Sequence, residues 1–205
     1  MTQSIEDKII SRIYGKGRGW VFFQKDFSHL GSRGAIDLAL YRLARKGTIR
    51  RVIRGLYDYP AFSQLLDRPL SPDIDQVARA LARKFGWRIQ PGGAAALNLM
   101  GLSTQVPGRS VYLSNGPDRS YEIGNTRLEF RHTALKETSF NLPESSILVQ
   151  GLRSLGREHI TAEVITAIRQ WLKPELRPGI LRDTRLATGW IYQAIKQICA
   201  GENDG

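Results

Sequence analysis

The sequence holds a single cysteine, Cys199, in 205 residues. That excludes an intramolecular disulfide and any cysteine-clustered zinc site. Its three histidines, His29, His132 and His159, are too few and too scattered for a His-rich metal centre. No run approaches ~18 consecutive apolar residues, so no segment reads as a membrane span. The opening MTQSIEDKIISRIYGKG carries acidic residues and lacks the apolar core of a signal peptide. Acidic residues are scarce overall: 19 Asp and Glu stand against 30 Lys and Arg, a net charge of +11. The expectation is a soluble, cytoplasmic chain that meets a polyanion, most simply a nucleic acid. A merely solvated basic surface is the alternative. With 41% hydrophobic and 24% charged residues the chain has the composition of a globular protein, as one large domain or two small ones.

The charge is uneven. Residues 1–60 hold twelve Lys or Arg against five Asp or Glu, a net of +7, which leaves +4 for residues 61–205. Pro60, Pro69 and Pro72 then surround the polar stretch SQLLDRPLSPD, which reads as a linker. The expected division is a first domain over 1–62 and a second over 70–205.

Ser4, followed by Ile5, Ile9, Ile10 and Ile13, predicts a capped amphipathic helix with Glu6 and Asp7 in its first turn. Trp20 to Phe23 reads as a short strand, and Lys25 to Leu30 as about one and a half turns of helix. Ser32 is placed to cap a longer helix ending near Lys46, with Gly47 as its stop. There Ile36, Ala39, Leu40 and Leu43 recur at helical spacing and should face a core. Arg33, Gly34, Asp37, Tyr41 and Arg45 fall mostly on the other side. Leu38 also points outward, and the sequence gives no reason for it. Two strands, Thr48 to Ile53 and Leu56 to Tyr59, flank a turn at Arg54-Gly55.

Helix, strand, helix, helix and hairpin in that order are the winged helix-turn-helix plan. Its second paired helix enters a DNA major groove amino end first. In that frame Ser32, Arg33, Gly34, Asp37 and Tyr41 face bases, and Arg45 continues the same face. An arginine reads a guanine edge bidentately, and an aspartate accepts from a cytosine amino group. Lys25, Arg50, Arg51 and Arg54 are the candidates for phosphates, which position without specifying sequence. Arg42 and Lys46 read as solvated or backbone-contacting. The competing reading is a winged helix that binds RNA or protein with the same residues solvated.

The run from Ser4 to Pro60 resembles the N-terminal winged helix of AbiEi-type antitoxins of type IV toxin–antitoxin systems. The likeness lies in IEDKIISRIYGKGRGWVF, in Lys25-Asp-Phe27, in LGSRGAIDLALYRLARKGTIRR and in the turn Arg54-Gly-Leu-Tyr-Asp-Tyr-Pro60. It continues through IQPGGAAALNLMGLSTQVPG and, more weakly, to the last helix with Trp190. One departure is Phe23-Gln24, where family members often carry Ser or Thr and a Pro before the short helix. The resemblance implies a cytoplasmic bacterial protein that represses its own operon by binding duplex DNA at its promoter. It implies a C-terminal region that opposes a nucleotidyltransferase-like toxin indirectly, without a stable complex. A homodimer or cooperative pair on two half-sites is compatible with this; no cofactor and no membrane partner are expected.

Beyond residue 70 the chain reads as helix from Ser71-Pro72-Asp73 to Gly86, then strand at 87–90, a small-residue helix at 94–100, strands at 111–113, 120–123 and 127–131, and helices at 143–154, 158–172 and 186–199. The fold class is therefore α+β: a winged helix followed by a mixed domain with a small antiparallel sheet and several helices. Chemistry is sparse there. Gly15-Lys-Gly-Arg-Gly19 lacks the spacing of a phosphate loop. Gly92-Gly93 offers either an anion cradle or a tight turn. Glu122, Glu129 and Lys136 suggest a nuclease set, and His132 with Glu129 an acid–base pair, but none has a persuasive spacing. Ser145, Ser146 and Cys199 lack a visible base, and Cys199 reads as a small core residue. No enzymatic activity is expected.

Overall fold

The computed structural model describes residues 4–104, 108–133 and 140–200. The fold is α+β, and it divides into two compact units. The first comprises residues 1–87 with 122–125, the second residues 88–121 and 126–205.

In the first unit, helix α1 (Ile5–Lys16) starts at a reciprocal cap. The Ser4 hydroxyl accepts from the Asp7 amide at 3.1 Å, and the Asp7 carboxylate accepts from the Ser4 amide at 3.3 Å. Strand β1 (Val21–Phe22) follows, then a single 3-10 turn at Gln24–Phe27, shorter than the helix expected to reach Leu30. With Phe23 in place of a hydroxyl cap, Asp26 reaches back and accepts from the Phe23 amide at 3.1 Å. Helix α2 (Arg33–Arg45) comes next, then the hairpin β2 (Arg50–Ile53) and β3 (Leu56–Asp58). The three strands form one sheet in the order β1-β3-β2. This is the winged helix-turn-helix topology.

Its core is formed by Ile9 and Ile13 of α1, Phe22, Phe27, Ile49, and Ile36, Ala39, Leu40 and Leu43 of α2. The helical period placed the α2 set correctly, because only one stripe of that helix is apolar enough to pack.

The stretch expected to be a linker is a small ribbon, β4 (Phe62–Ser63) with β5 (Arg68–Pro69), and it lies inside the first unit. Helix α3 (Ile74–Phe85) also belongs to that unit. Asp73 caps it, accepting from the Asp75 and Gln76 amides at 2.8 and 3.1 Å, and Gly86 ends it. Arg83 ties α3 to β1 by donating to the Val21 carbonyl at 3.0 Å, and it lies 3.7 Å from the Asp26 carboxylate.

The second unit contains β6 (Ile89–Pro91), α4 (Gly93–Leu99), β7 (Arg109–Ser114), most of β8 (Arg119–Ile123) and β9 (Thr126–His132). The sheet order is β6-β7-β9-β8, and β7 with β9 is parallel, so this sheet is mixed rather than wholly antiparallel. Four helices complete it: α5 (Pro143–Leu155), α6 (Ala162–Trp171), α7 (Arg177–Asp183) and α8 (Gly189–Cys199). Leu148, Leu152, Ile168, Ile180, Ile195 and Ile198 are fully enclosed in its core. Cys199 packs against that core as a small apolar residue, and burial pushes its thiol up while nearby Arg177 pulls it down. No helix among the described residues is long and apolar enough to cross a membrane.

Candidate nucleic-acid interface

Helix α2 buries one side and exposes the other. Ser32 stands just before it in extended backbone, and its hydroxyl accepts from the Ala35 amide at 3.4 Å. The first amides of any helix have no carbonyl partner within it. They give the amino end of α2 partial positive charge, which suits a phosphate.

At 3.6 residues per turn, burial of Ile36, Ala39, Leu40 and Leu43 turns the opposite side outward. Arg33, Gly34, Asp37, Tyr41 and Arg45 are all exposed there. The helix thus brings these sequence-predicted residues together. Arg33 and Asp37 lie one turn apart, with Nε 3.8 Å from Oδ2 and the arginine side chain 86% exposed. An exposed pair this loose is worth about 0–1 kcal/mol, so a base edge can compete for either partner. The Arg45 guanidinium sits 5.9 Å from the centre of the Tyr41 ring, a cation–π contact that restrains both.

The hairpin supplies the wing. Gly55 makes its turn with φ +72°, a conformation L side chains rarely adopt. Arg51 and Arg54 are exposed on it, and Lys25 is exposed on the 3-10 turn.

Arg50 is a correction. It was expected to hold phosphate, yet its Nε donates to Asp58 Oδ1 at 3.0 Å and its Nη2 to Oδ2 at 2.5 Å. Its Nη1 donates to the Leu70 carbonyl at 2.9 Å. With the Asp58 side chain only 2% exposed, Arg50 is the counter-ion of a buried carboxylate. Successive strand residues point to opposite faces, so Arg50 turns in where Arg51 turns out.

One feature escaped the sequence reading, and one was read without a reason. Lys84 of α3 lies beside the wing turn, its Nζ 3.4 Å from where a Cβ on Gly55 would sit, and burial lowers its pKa from the ordinary lysine value. Only tertiary packing brings it there, so no local signal marks it. Leu38 is 48% exposed in the middle of the α2 face, where helical periodicity had already put it without a reason.

The other candidate chemistry is taken up structurally. The Glu129 carboxylate accepts from Arg109 Nη2 at 2.5 Å and has Arg127 Nε at 3.5 Å and Arg131 Nε at 3.7 Å. His132 does not turn to Glu129: its Nδ1 lies 3.0 Å from the Gly116 carbonyl, and its amide donates to Asp118 at 2.5 Å. Lys136 lies outside the described residues. At Gly92 a Cβ would meet the Val111 carbonyl at 2.8 Å, so close approach of α4 to β7 accounts for that glycine. Among the described residues, no group of three or more His, Cys, Asp or Glu could hold a metal ion.

The family model for DUF6088, described as a family of unknown function, matches residues 8–179. The chain belongs to the DUF6088 family. The match takes in the winged helix from Lys8 of α1 onward and most of the second unit of this DUF6088 member. No curated protein matches it. Among solved structures, the RV2827C protein from Mycobacterium tuberculosis is similar to this DUF6088 chain at 16% identity. The likeness covers 97% of this chain and 77% of that one, with a TM-score of 0.44.

Proposed function

We propose that this protein is a sequence-specific duplex-DNA-binding transcriptional regulator. The supporting observation is the outward face of α2, where Arg33, Gly34, Asp37, Tyr41 and Arg45 are exposed together in a winged helix whose wing also exposes Arg51 and Arg54. An α-helix about 10–12 Å across fits a major groove about 12 Å wide. In this reading Ser32 and the first α2 amides meet a phosphate, and the α2 side chains read base edges. Lys25, Arg51 and Arg54 neutralise the flanking backbone. Arg50 leaves the expected phosphate set, because it holds Asp58.

The resemblance to AbiEi-type antitoxins extends the proposal. The protein then represses its own promoter in a bacterial cytoplasm, and its second unit opposes a nucleotidyltransferase-like toxin without forming a stable complex with it. It needs no cofactor and catalyses no reaction. Binding as a homodimer or cooperative pair fits paired half-sites.

The test is a gel-shift titration of the DNA immediately upstream of its gene against a scrambled duplex, at two salt concentrations. Selective binding that weakens steeply with salt is the expected result. Equal weak binding to both duplexes contradicts the regulator reading, and preference for a structured RNA replaces it with an RNA-binding module.

A further inference from the structure

We propose that Leu38, with the bare backbone at Gly34, forms an apolar notch that receives the 5-methyl group of a thymine, so that this protein selects duplexes with thymine opposite the middle of α2. This rests on the DNA reading above and takes it to the level of a base.

The first observation is place. Residues step round a helix by about 100°. The four buried α2 residues therefore define one side, and Gly34, Leu38, Tyr41 and Arg45 follow one another along the other. Singly exposed leucines are common on protein surfaces. This one, 48% exposed, lies within the first two turns of the helix that enters the groove, on a face it shares with the exposed ring of Tyr41.

The second observation is Gly34, one turn before Leu38. A Cβ there would meet nothing within 4 Å, so packing does not require a glycine. Its backbone is helical and its φ is not positive, so conformation does not require one either. Glycine is nonetheless among the poorest helix formers. Its remaining use is to let something outside the protein approach the backbone closely.

The third step is chemical. In the major groove, the bases present hydrogen-bonding nitrogen and oxygen atoms and one apolar group, the thymine methyl. An isobutyl side chain can make no hydrogen bond, so that methyl is the feature it complements. The open space over Gly34 gives it room to enter beside Leu38.

The experiment begins with selection of binding sites from a random duplex pool by the full-length protein. The enriched duplex is then made with thymine and with deoxyuridine, which differs only by the methyl, and titrated with wild type and Leu38→Ala. Removal of the methyl should weaken wild-type binding about fourfold at the contacted position, the worth of one buried methyl group. Leu38→Ala should bind more weakly than wild type and no longer distinguish the two duplexes. Its melting temperature should match wild type, since Leu38 packs on no core. If wild type binds both duplexes equally, or if Leu38→Ala keeps the full discrimination, the thymine assignment is overturned while the DNA reading stands. A pool from which nothing is enriched overturns the DNA reading and this inference with it.

Discussion

Arg50 and Asp58 face each other in register across the β2–β3 hairpin, joined by two parallel hydrogen bonds of 3.0 and 2.5 Å. The carboxylate is buried and the arginine about one third exposed. The wing is therefore held at its base by an ion pair, while its tip remains available. Arg50 also donates to the Leu70 carbonyl, which fastens the chain beyond the β4–β5 ribbon to the same point.

Removing one partner of such a pair leaves a charge in a dry place. Arg50→Ala should destabilise the fold by about 2–3 kcal/mol, below the usual cost of breaking a fully buried pair because the arginine keeps some solvent contact. Arg50→Lys should recover only part of this, since lysine lacks the planar fork. Urea denaturation measures both.

Arg51 is the contrasting neighbour. Arg51→Ala should leave stability within about 0.5 kcal/mol of wild type. It should weaken binding to all duplexes alike and reduce the salt slope by about one. Arg50→Ala, assayed well below its melting temperature, should leave that slope unchanged. A slope that drops for Arg50→Ala would return that residue to the phosphate set.

Arg33 carries sequence preference in this account. Arg33→Ala should cost about 1–3 kcal/mol on the preferred duplex and much less on a scrambled one. Titration of both duplexes checks it, and an equal loss on each would reassign Arg33 to the backbone.

Gly34→Ala separates folding from binding. The substitution should raise helix stability by up to about 1 kcal/mol, because alanine is the better helix former and its Cβ meets open space. DNA affinity should fall, because the backbone can no longer approach the groove as closely. Thermal melting and a binding titration on the same variant give the two signs.

Asp183 should make the stability of the second unit depend on acid pH. Its carboxylate accepts from the Asn141 amide at 3.0 Å, the Asn141 side chain at 2.9 Å and the Leu142 amide at 2.9 Å, just ahead of α5. Burial pushes its pKa up, but these hydrogen bonds outweigh it and the net shift is downward from 3.8. A depressed pKa means that the ionised form stabilises the fold above the unfolded value, and that this is lost as pH falls through the folded value. Wild type should lose stability below about pH 4 more steeply than Asp183→Asn. Denaturant titration at a series of pH values reads the difference.

How much of this was legible depended on how local each cause is. The core stripe of α2 and the caps at Ser4 and Ser32 follow from helical periodicity and short side-chain reach, and both were readable. The expected start of α3 spanned Ser71-Pro72-Asp73, and of these Asp73 holds the amides. Arg50 and Arg51 looked alike as charges, although strand alternation already sent them to opposite faces. Helix α7 was not among the expected elements; its Pro178 and Gly179 fall in the first turn, where proline lacks no needed donor. The parallel pairing of β7 with β9 depends on β9 inserting between β7 and β8, a long-range choice that no local pattern encodes. Lys84 reached the wing by the same kind of tertiary placement.

The most direct test of the central claim is to follow the backbone amide resonances of the full-length protein as the selected duplex is added. The account predicts that the largest shifts fall on residues 33–45 of α2 and on Arg51, Arg54 and Gly55 of the wing, with the strands carrying Arg109, Arg127 and Arg131 little changed. Shifts concentrated on those strands, with α2 silent, would contradict it.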